Sequence, residues 1–215
     1  MTKTIIYEPM TTITDVLIAI IALYYSRELT AIYLHQLFNV QYNWIWAFRL
    51  LSLGAILGAI SHGIGPYFHP IVRKLVWKFT TYSIGIMIYF ILLMMLHHLF
   101  DYPVVLRLRW ILITLIIIYL AVVTINDNFI NVIRFYVPLM AMVVLGLLYT
   151  WLTINADGTY MIILGILISF IAGGVQQSRI IFHEYINYND IAHFIQMVAM
   201  WCFYRGSLVL KDSVL

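Results

Sequence analysis

Polar and ionisable residues open the last apolar stretch of the chain, where they could do acid–base or metal chemistry. Asn189, Asp190 and His193 are spaced three and four residues apart, which places their side chains on one face of a helix. Imidazole and carboxylate groups bind zinc, and imidazole also exchanges protons near neutral pH. Because polar groups at the mouth of a membrane helix are costly unless partnered, this spacing predicts a functional site there.

The composition predicts the membrane that this helix would enter. Of the 215 residues, 64% are hydrophobic and 10% are charged, and the mean hydropathy is +0.96. A soluble domain carries roughly 25% charged residues, so this chain cannot cover itself with a surface suited to water. A membrane helix needs about 20 apolar residues, and seven such stretches use almost the entire chain.

We therefore predict an all-α, multi-pass integral membrane protein with a single domain, residues 1–215, folded as a seven-helix transmembrane bundle. The predicted spans are residues 11–33, 44–64, 75–98, 107–125, 130–153, 160–176 and 189–209. Seven spans place the two termini on opposite sides of the membrane. The side on which the N-terminus lies is named the A side, and the other the B side.

Alternate span ends meet on each side, so the topology predicts which polar residues share a side. The A side receives Asp15 from span one, Ser61 and His62 from span two, and the polar start of span seven. Other polar residues expected on the A side are His69, Asp127, Gln177, His183 and Glu184. The B side receives Arg27, Arg49, His97, His98 and Asp101, which is typical of an ion-paired belt or a site for anionic lipid headgroups.

Two interpretations of the A-side residues follow from their chemistry. Histidines with a carboxylate could hold a metal ion and leave a position for water, which would then attack an ester or amide carbonyl. In the other interpretation the same residues serve the structure. Asp190 would cap the first turn of its helix, and His62 would hydrogen-bond a neighbouring helix.

His62 in AISHG and the NDIAH segment from Asn189 to His193 resemble motifs of the CREST superfamily of seven-span membrane hydrolases, which includes the alkaline ceramidases. Those proteins carry Ser-x-x-x-His in span two, an Asp near span three and His-x-x-x-His at the start of span seven. Here Gly58 stands at the serine position and Asn189 at the first span-seven histidine position, and no Asp occurs between Gly63 and Phe100.

The resemblance implies a zinc-dependent membrane hydrolase that acts on a lipid amide or ester. The metal (Zn²⁺) would be held by His62, His193 and Asn189, with Asp15, Ser61 and Asp190 as catalytic residues. The alternative is a non-enzymatic sensor or transporter of a lipid or small molecule that uses the same residues as a proton-linked site. Membrane lipids are the expected partners in both cases.

Two other classes of protein are excluded by particular residues. A retinal protein needs a lysine in the middle of span seven, whereas the lysine that follows Lys78 is Lys211, at the exit of that span. The formal charge of +3 is spread over several loops and forms no patch for a nucleic acid. The sequence does not indicate an oligomeric state.

Overall fold

The chain folds into a bundle of long helices. The computed structural model describes residues 6–180, 183 and 186–212, and within them seven α-helices follow one another. Apart from these helices, the described elements are a short 3₁₀ turn, Gly65–Tyr67, and an isolated bridge between His183 and Ile186. The helices are α1 Pro9–Gln36, α2 Asn39–Gly63, α3 Pro70–Leu99, α4 Tyr102–Ile125, α5 Ile130–Ile154, α6 Thr159–Ser178 and α7 Tyr188–Ser207.

Several helices begin before the apolar stretch that predicts them. Pro9, Pro70 and Pro103 lie in the first turns of α1, α3 and α4. Proline is well suited to that position because its fixed φ matches a helix and its missing N–H would be unpaired there anyway. The helical geometry therefore starts in polar sequence that hydropathy does not register as part of a span.

Consecutive helices run up and down, and α7 closes the bundle by packing between α6 and α1. The antiparallel pair of α6 and α7 comes very close near Gly206, where a Cβ atom would lie 2.6 Å from the side chain of Ile162 and 2.8 Å from the carbonyl oxygen of Gly158. Glycine therefore permits this crossing. The end of the bundle at which α1 and α7 begin is named the A end, and the opposite end the B end.

The third helix is the centre of the bundle, because it packs against α2, α4 and α5. In the most apolar part of α3, 61% of the residues are buried inside the bundle. The corresponding share for α4, which lies on the outside, is 17%. Ile88, Leu92 and Met94 of α3 are fully enclosed. They pack in one apolar core that includes Trp44 and Phe48 of α2.

Six helices, α1 to α6, are long and apolar enough to cross a membrane among the residues that the structure describes. The all-helical fold predicted from the sequence is confirmed for those residues. Six of the seven predicted spans correspond to helices with the length and hydropathy of a membrane span. The exception is α7, whose hydropathy is lowered by Asp190, His193, Gln196 and Arg205.

The C-terminal segment is joined to the B end by several hydrogen bonds, although Oε1 of Gln41 is buried without a partner among the described residues. Both carboxylate oxygens of Asp212 accept backbone N–H groups at the start of α2: Oδ2 from Asn39 and Oδ1 from Val40, each at 2.8 Å. The Gln41 amide donates to the carbonyl oxygen of Leu210 at 2.8 Å. An acid at a helix N-terminus satisfies unpaired donors and complements the helix dipole, so Asp212 stabilises α2 in the way an N-cap does.

A buried histidine ties this segment to the centre of the bundle. His98 of α3 is fully buried, and its Nδ1 lies 2.8 Å from the carbonyl oxygen of Lys211. Its Nε2 lies 3.0 Å from the hydroxyl of Thr150 on α5. The carbonyl of Lys211 can only accept, so Nδ1 carries a proton. The Thr150 hydroxyl also lies 3.1 Å from the carbonyl oxygen of Leu147, so its single proton is shared between that oxygen and Nε2 of His98. Both ring nitrogens of His98 thus have a polar partner.

Candidate functional site

The A end brings Asp15 of α1 into the interior of the bundle. The residue is 5% exposed, and its Oδ2 is buried without a hydrogen-bond partner among the described residues. Gly58 of α2 leaves the space for this carboxyl group, since a Cβ there would lie 3.1 Å from Oδ1 and 3.2 Å from Oδ2. Burial of a carboxylate lowers the stability of the fold unless the group is paired. This oxygen is therefore able to accept a hydrogen bond from a ligand or from a side chain that moves toward it.

His193 of α7 lies beside this carboxyl group and also contacts Thr14 of α1. Its Nδ1 is 2.8 Å from the hydroxyl of Thr14, and its Nε2 is 3.6 Å from Oδ1 of Asp15. The Thr14 hydroxyl also lies 3.0 Å from the carbonyl oxygen of Thr11, to which it must donate its single proton. Nδ1 of His193 therefore carries a hydrogen and donates it to Thr14, which leaves Nε2 facing Asp15.

In this geometry Asp15 and His193 can share one proton, which has two possible positions. The proton sits either on Nε2, as an imidazolium beside a carboxylate, or on Oδ1, as a neutral acid beside a neutral imidazole. The separation of 3.6 Å is within ion-pair range but longer than a hydrogen bond. A small side-chain movement can therefore close the pair.

Asp190, the second acid of this region, has a structural role. It is fully buried at the start of α7 and forms a capping box with Asn187: its Oδ2 accepts the backbone N–H of Asn187 at 2.8 Å. Its Oδ1 accepts the hydroxyl of Thr11 at 2.8 Å. The interpretation of Asp190 as a helix cap is confirmed, and the additional bond joins α7 to α1.

The A end also contains a second acid–base pair, nearer to the surface. Nδ1 of His62, at the end of α2, lies 3.1 Å from Oε2 of Glu8 just before α1. Their side chains are 28% and 32% exposed, so both members reach solvent. His62 is close enough to His193 for their charges to interact, and Glu8 is close enough to Asp15. The outer pair therefore lies next to the inner one.

Three residues of this site, Glu8, Thr11 and Thr14, are missing from the set predicted by sequence. The segment TTITD places Thr11 on the same helix face as Asp15, four residues away, whereas Thr14 is adjacent to Asp15 and points in a different direction. Threonine in an apolar helix ordinarily bonds its own backbone, so its presence alone carries little information. The useful signal was the combination of an acid in an apolar helix with a hydroxyl one turn before it.

Other predicted site residues lie outside this cluster. Asn189 accepts a hydrogen bond from Gln176 at 3.4 Å, and Ser61 is half-buried where α2 turns at Gly65. The remaining A-side residues, His69, Gln177 and His183, are exposed, and Glu184 lies outside the described residues. The bundle thus brings together Asp15, Asp190 and His193, with His62 adjacent.

Asp127 belongs to a separate cluster in the loop between α4 and α5. It lies 3.0 Å from Nζ of Lys78 and 3.4 Å from Nζ of Lys74, both on α3. The Lys78 interaction, with Lys74 beside it, lowers the pKa of Asp127. Asp127 lies at the A end, as predicted. Its partners are lysines of α3, however, and it is not part of the site on α1.

The donor set does not have the form of a zinc site. Among the described residues, no group of three or more His, Cys, Asp or Glu side chains is placed to hold a metal. Both oxygens of Asp190 are engaged in hydrogen bonds, and Nδ1 of His193 is engaged with Thr14. The zinc ion implied by the resemblance stays a prediction, and none of the chemistry below depends on it.

Comparisons with known proteins place the chain in a family without assigning its chemistry. No curated protein and no solved structure is significantly similar to it. The model of a family of unknown function, DUF6962, matches residues 10–212, which includes the helices of the A-end site and the Asp212 contacts at the B end. The resemblance to the CREST superfamily stays a prediction. Because the match extends over nearly the whole chain, the protein belongs to the DUF6962 family.

Proposed function

We propose that the protein is a multi-pass membrane protein in which all seven helices cross the bilayer, and that it works as a proton-linked transporter or sensor of a small molecule. The polar face of α7 supports the seventh span, because Asp190 and His193 turn toward α1 and not outward. Polar groups in membrane helices are tolerated when they face the bundle interior and find partners there. With α7 included, the termini fall on opposite sides of the membrane.

The observation that carries this proposal is the unpaired Oδ2 of Asp15 beside Nε2 of His193. The neighbouring buried acid Asp190, by contrast, accepts a hydrogen bond with each of its oxygens. A buried acid–base pair with one proton and one unpaired oxygen can change its charge distribution when a ligand arrives or a proton leaves. The outer pair of His62 and Glu8 supplies a route by which that proton reaches solvent.

Nitrogen NMR of ring-labelled histidine in lipid nanodiscs tests the pairing. His193→Gln assigns the His193 signals, and Asp15→Asn removes the proposed proton partner. We expect Asp15→Asn to change the protonation state of Nε2 of His193 over the range of about pH 5 to 8 in which histidines titrate. Asp157→Asn is the matched control, because Asp157 is an exposed loop acid.

The outcome that contradicts the proposal is also specific. If the His193 signals are the same in the wild type and in Asp15→Asn across that range, then the two residues do not share a proton. If Asp157→Asn changes them as much as Asp15→Asn does, the effect is one of overall charge. Thermal unfolding of each variant shows whether the bundle is intact.

A lipid amide or ester hydrolase is the second candidate, favoured by the order of groups along the site. Thr14, His193 and Asp15 form a series of hydroxyl, imidazole and carboxyl group, which is the order found in nucleophilic hydrolases. This chemistry uses the other tautomer of His193, with its proton on Nε2 toward Asp15, so that Nδ1 is free to accept from the hydroxyl of Thr14. The hydroxyl attacks the carbonyl carbon while its proton passes to Nδ1, and His193 gives that proton to the departing alcohol or amine as the acyl–threonine ester forms. Water then gives a proton to His193 as it attacks the ester, and that proton returns to the oxygen of Thr14 as the acid is released.

Fatty acid release from phosphatidylcholine and ceramide vesicles distinguishes the hydrolase from the proton-linked carrier. The hydrolase predicts release that is lost in Thr14→Val and kept in Thr12→Val, since the Thr12 hydroxyl bonds only the backbone of Glu8 in the described structure. Metal analysis of the same preparation tests the zinc prediction. Absence of release from both lipids by folded wild-type protein, with or without added zinc, would contradict hydrolysis of these lipid classes.

A further inference from the structure

A cavity of about 330 Å³ opens at the B end between α2, α3 and α4, well away from the A-end site. Its volume is within the range of small-molecule sites, roughly 300–1,000 Å³. One stripe of each helix lines it: the first turns of α2 and α4, and the last third of α3. The polar lining residues are Asn39, Asn43, Tyr89, His97, Tyr102 and Arg109.

The cavity is lined by an arginine, Arg109, that forms no ion pair among the described residues, whereas Lys74 and Lys78 at the opposite end are both paired with Asp127. The residue is exposed, and its Nε donates to the hydroxyl of Tyr89 at 3.2 Å. This bond orients the guanidinium group, and its remaining N–H groups are suited to the oxygens of a phosphate.

His97 adds a second basic group to the same wall, stacked against Tyr102 at 6.4 Å between ring centres. It is half-buried, whereas its neighbour His98 points to the interior and has both nitrogens paired. Adjacent residues of a helix point in different directions, so the two histidines cannot both face the interior of the bundle. His97 is therefore the histidine left to meet a ligand.

The nearby acid Asp212 is held at the start of α2 and not by Arg109. Its two oxygens accept the N–H groups of Asn39 and Val40 and the side-chain amide of Asn39, where they complement the helix dipole. Its negative charge acts on His97, so Arg109 is the main group that attracts an anion to this cavity. The other walls of the cavity are apolar, with Phe90, Leu93, Val105 and Leu106. A ligand with an anionic head and an apolar continuation matches both surfaces.

We propose that this cavity binds the phosphate group of an anionic phospholipid, with Arg109 and His97 on the phosphate and the apolar wall on the start of the acyl chains. The proposal rests on the proposed membrane insertion but not on the A-end site. Tyr42, Tyr89 and Tyr102 line the cavity as aromatic residues do at a membrane–water interface. Arginine near such an interface is a common contact for anionic headgroups.

Native mass spectrometry of the full-length protein, released from detergent with added lipid, tests this. The wild type is expected to retain phosphatidylglycerol about tenfold more strongly than phosphatidylcholine, as one to two charge-assisted hydrogen bonds would provide. Arg109→Gln should abolish that preference. Arg107→Gln is the matched control, because Arg107 is an exposed arginine of the same helix and does not line the cavity. Tyr89→Phe, which frees Arg109, should cause a smaller loss.

Inorganic phosphate separates the two sources of the same chemical group. Retention of phosphatidylglycerol that depends on Arg109 and resists added phosphate supports the lipid. Displacement of the lipid by phosphate at comparable concentration would overturn the lipid as the ligand and assign the cavity to a free anion. Equal retention by wild type, Arg109→Gln and Arg107→Gln would overturn the site altogether, provided that all three proteins show the same helical circular dichroism. Failure of this test leaves the Asp15–His193 pair unaffected, since neither residue is changed.

Discussion

The two ends of the bundle use the same kinds of residue for different purposes. At the B end, His98 has both ring nitrogens paired and Asp212 has both oxygens paired. At the A end, His193 faces Asp15 at 3.6 Å, and one oxygen of Asp15 is buried without a partner among the described residues. Satisfied polar groups stabilise a fold, whereas an unsatisfied one lowers stability and is kept for another reason. The B end also has a buried atom without a partner among the described residues, Oε1 of Gln41, but that atom belongs to a neutral amide. The unpaired atom of the A end belongs to an acid beside an imidazole, so the A end is the better candidate for proton chemistry.

The largest effect on stability is expected at the B end, for a substitution of His98. His98→Ala removes a fully buried side chain and leaves the hydroxyl of Thr150 and the carbonyl of Lys211 to find other partners. We expect a loss of about 3 kcal/mol in the free energy of unfolding. The neighbouring variant His97→Ala is the control, with a loss of about 0.5 kcal/mol or less as at partly exposed positions. Equal losses in denaturant unfolding would break the comparison.

A smaller loss is expected for the helix cap at the A end. Asp190→Ala removes the acceptor for the backbone N–H of Asn187 and the bond to Thr11. Loss of a cap costs about 1–2 kcal/mol, which should lower the unfolding midpoint while leaving the Asp15–His193 pair in place. Asp157→Ala, in an exposed loop, should leave the midpoint unchanged. A stable Asp190→Ala protein that has lost proton binding would instead make Asp190 part of the functional site.

Asp15→Asn should behave in the opposite way to Asp190→Ala. It replaces a buried acid with an unpaired oxygen by a neutral side chain of the same shape. A buried carboxylate with an unpaired oxygen costs stability, and His193 can lose its proton once the acid is gone, so that no charge is left unpaired. We therefore expect a change within about 1 kcal/mol, toward higher stability. Proton-linked activity should be lost. A loss of stability as large as that of Asp190→Ala would show that Asp15 is a structural residue.

The smallest effect is expected in the loop between α4 and α5. Lys78 and Lys74 lower the pKa of Asp127 below that of the unfolded chain. The folded protein therefore binds this proton less readily than the unfolded one, so the stability from the pair is present above the ordinary carboxyl pKa of about 4. It is lost as the pH falls through the lowered value. Asp127→Asn should reduce stability slightly at pH 6, and the difference from wild type should vanish in acid. A difference that is independent of pH would contradict this.

The sequence predicts the helices well because their signal is local. Long apolar stretches predict long helices, and the position of Asp190 in the first turn of α7 predicts a helix cap. The position of His98 against His97 also follows from helical geometry, since adjacent residues point in different directions. These features depend on neighbours in sequence, which the sequence contains.

The partners of the site could not be predicted because they depend on which helices meet. Thr14 and His193 are 179 residues apart in the chain, and they meet because α7 closes the bundle against α1. Asp127 was expected with the A-side acids, but it forms ion pairs with two lysines of α3 instead. The seventh span was expected from the length of its apolar stretch, and the polar face that contacts α1 is what lowers its hydropathy.

The central claim is that Asp15 and His193 share one proton in the interior of the bundle, and infrared difference spectroscopy tests it most directly. Without His193, a lone carboxylate at the position of Asp15 would be buried and unpaired, so it should hold its proton at neutral pH. We predict that His193→Gln shows a protonated-carboxyl stretching band that is missing from the double variant Asp15→Asn/His193→Gln. If the spectra of these two variants are identical in the carboxyl region, Asp15 does not hold the proton, and the proposed proton-linked function is wrong.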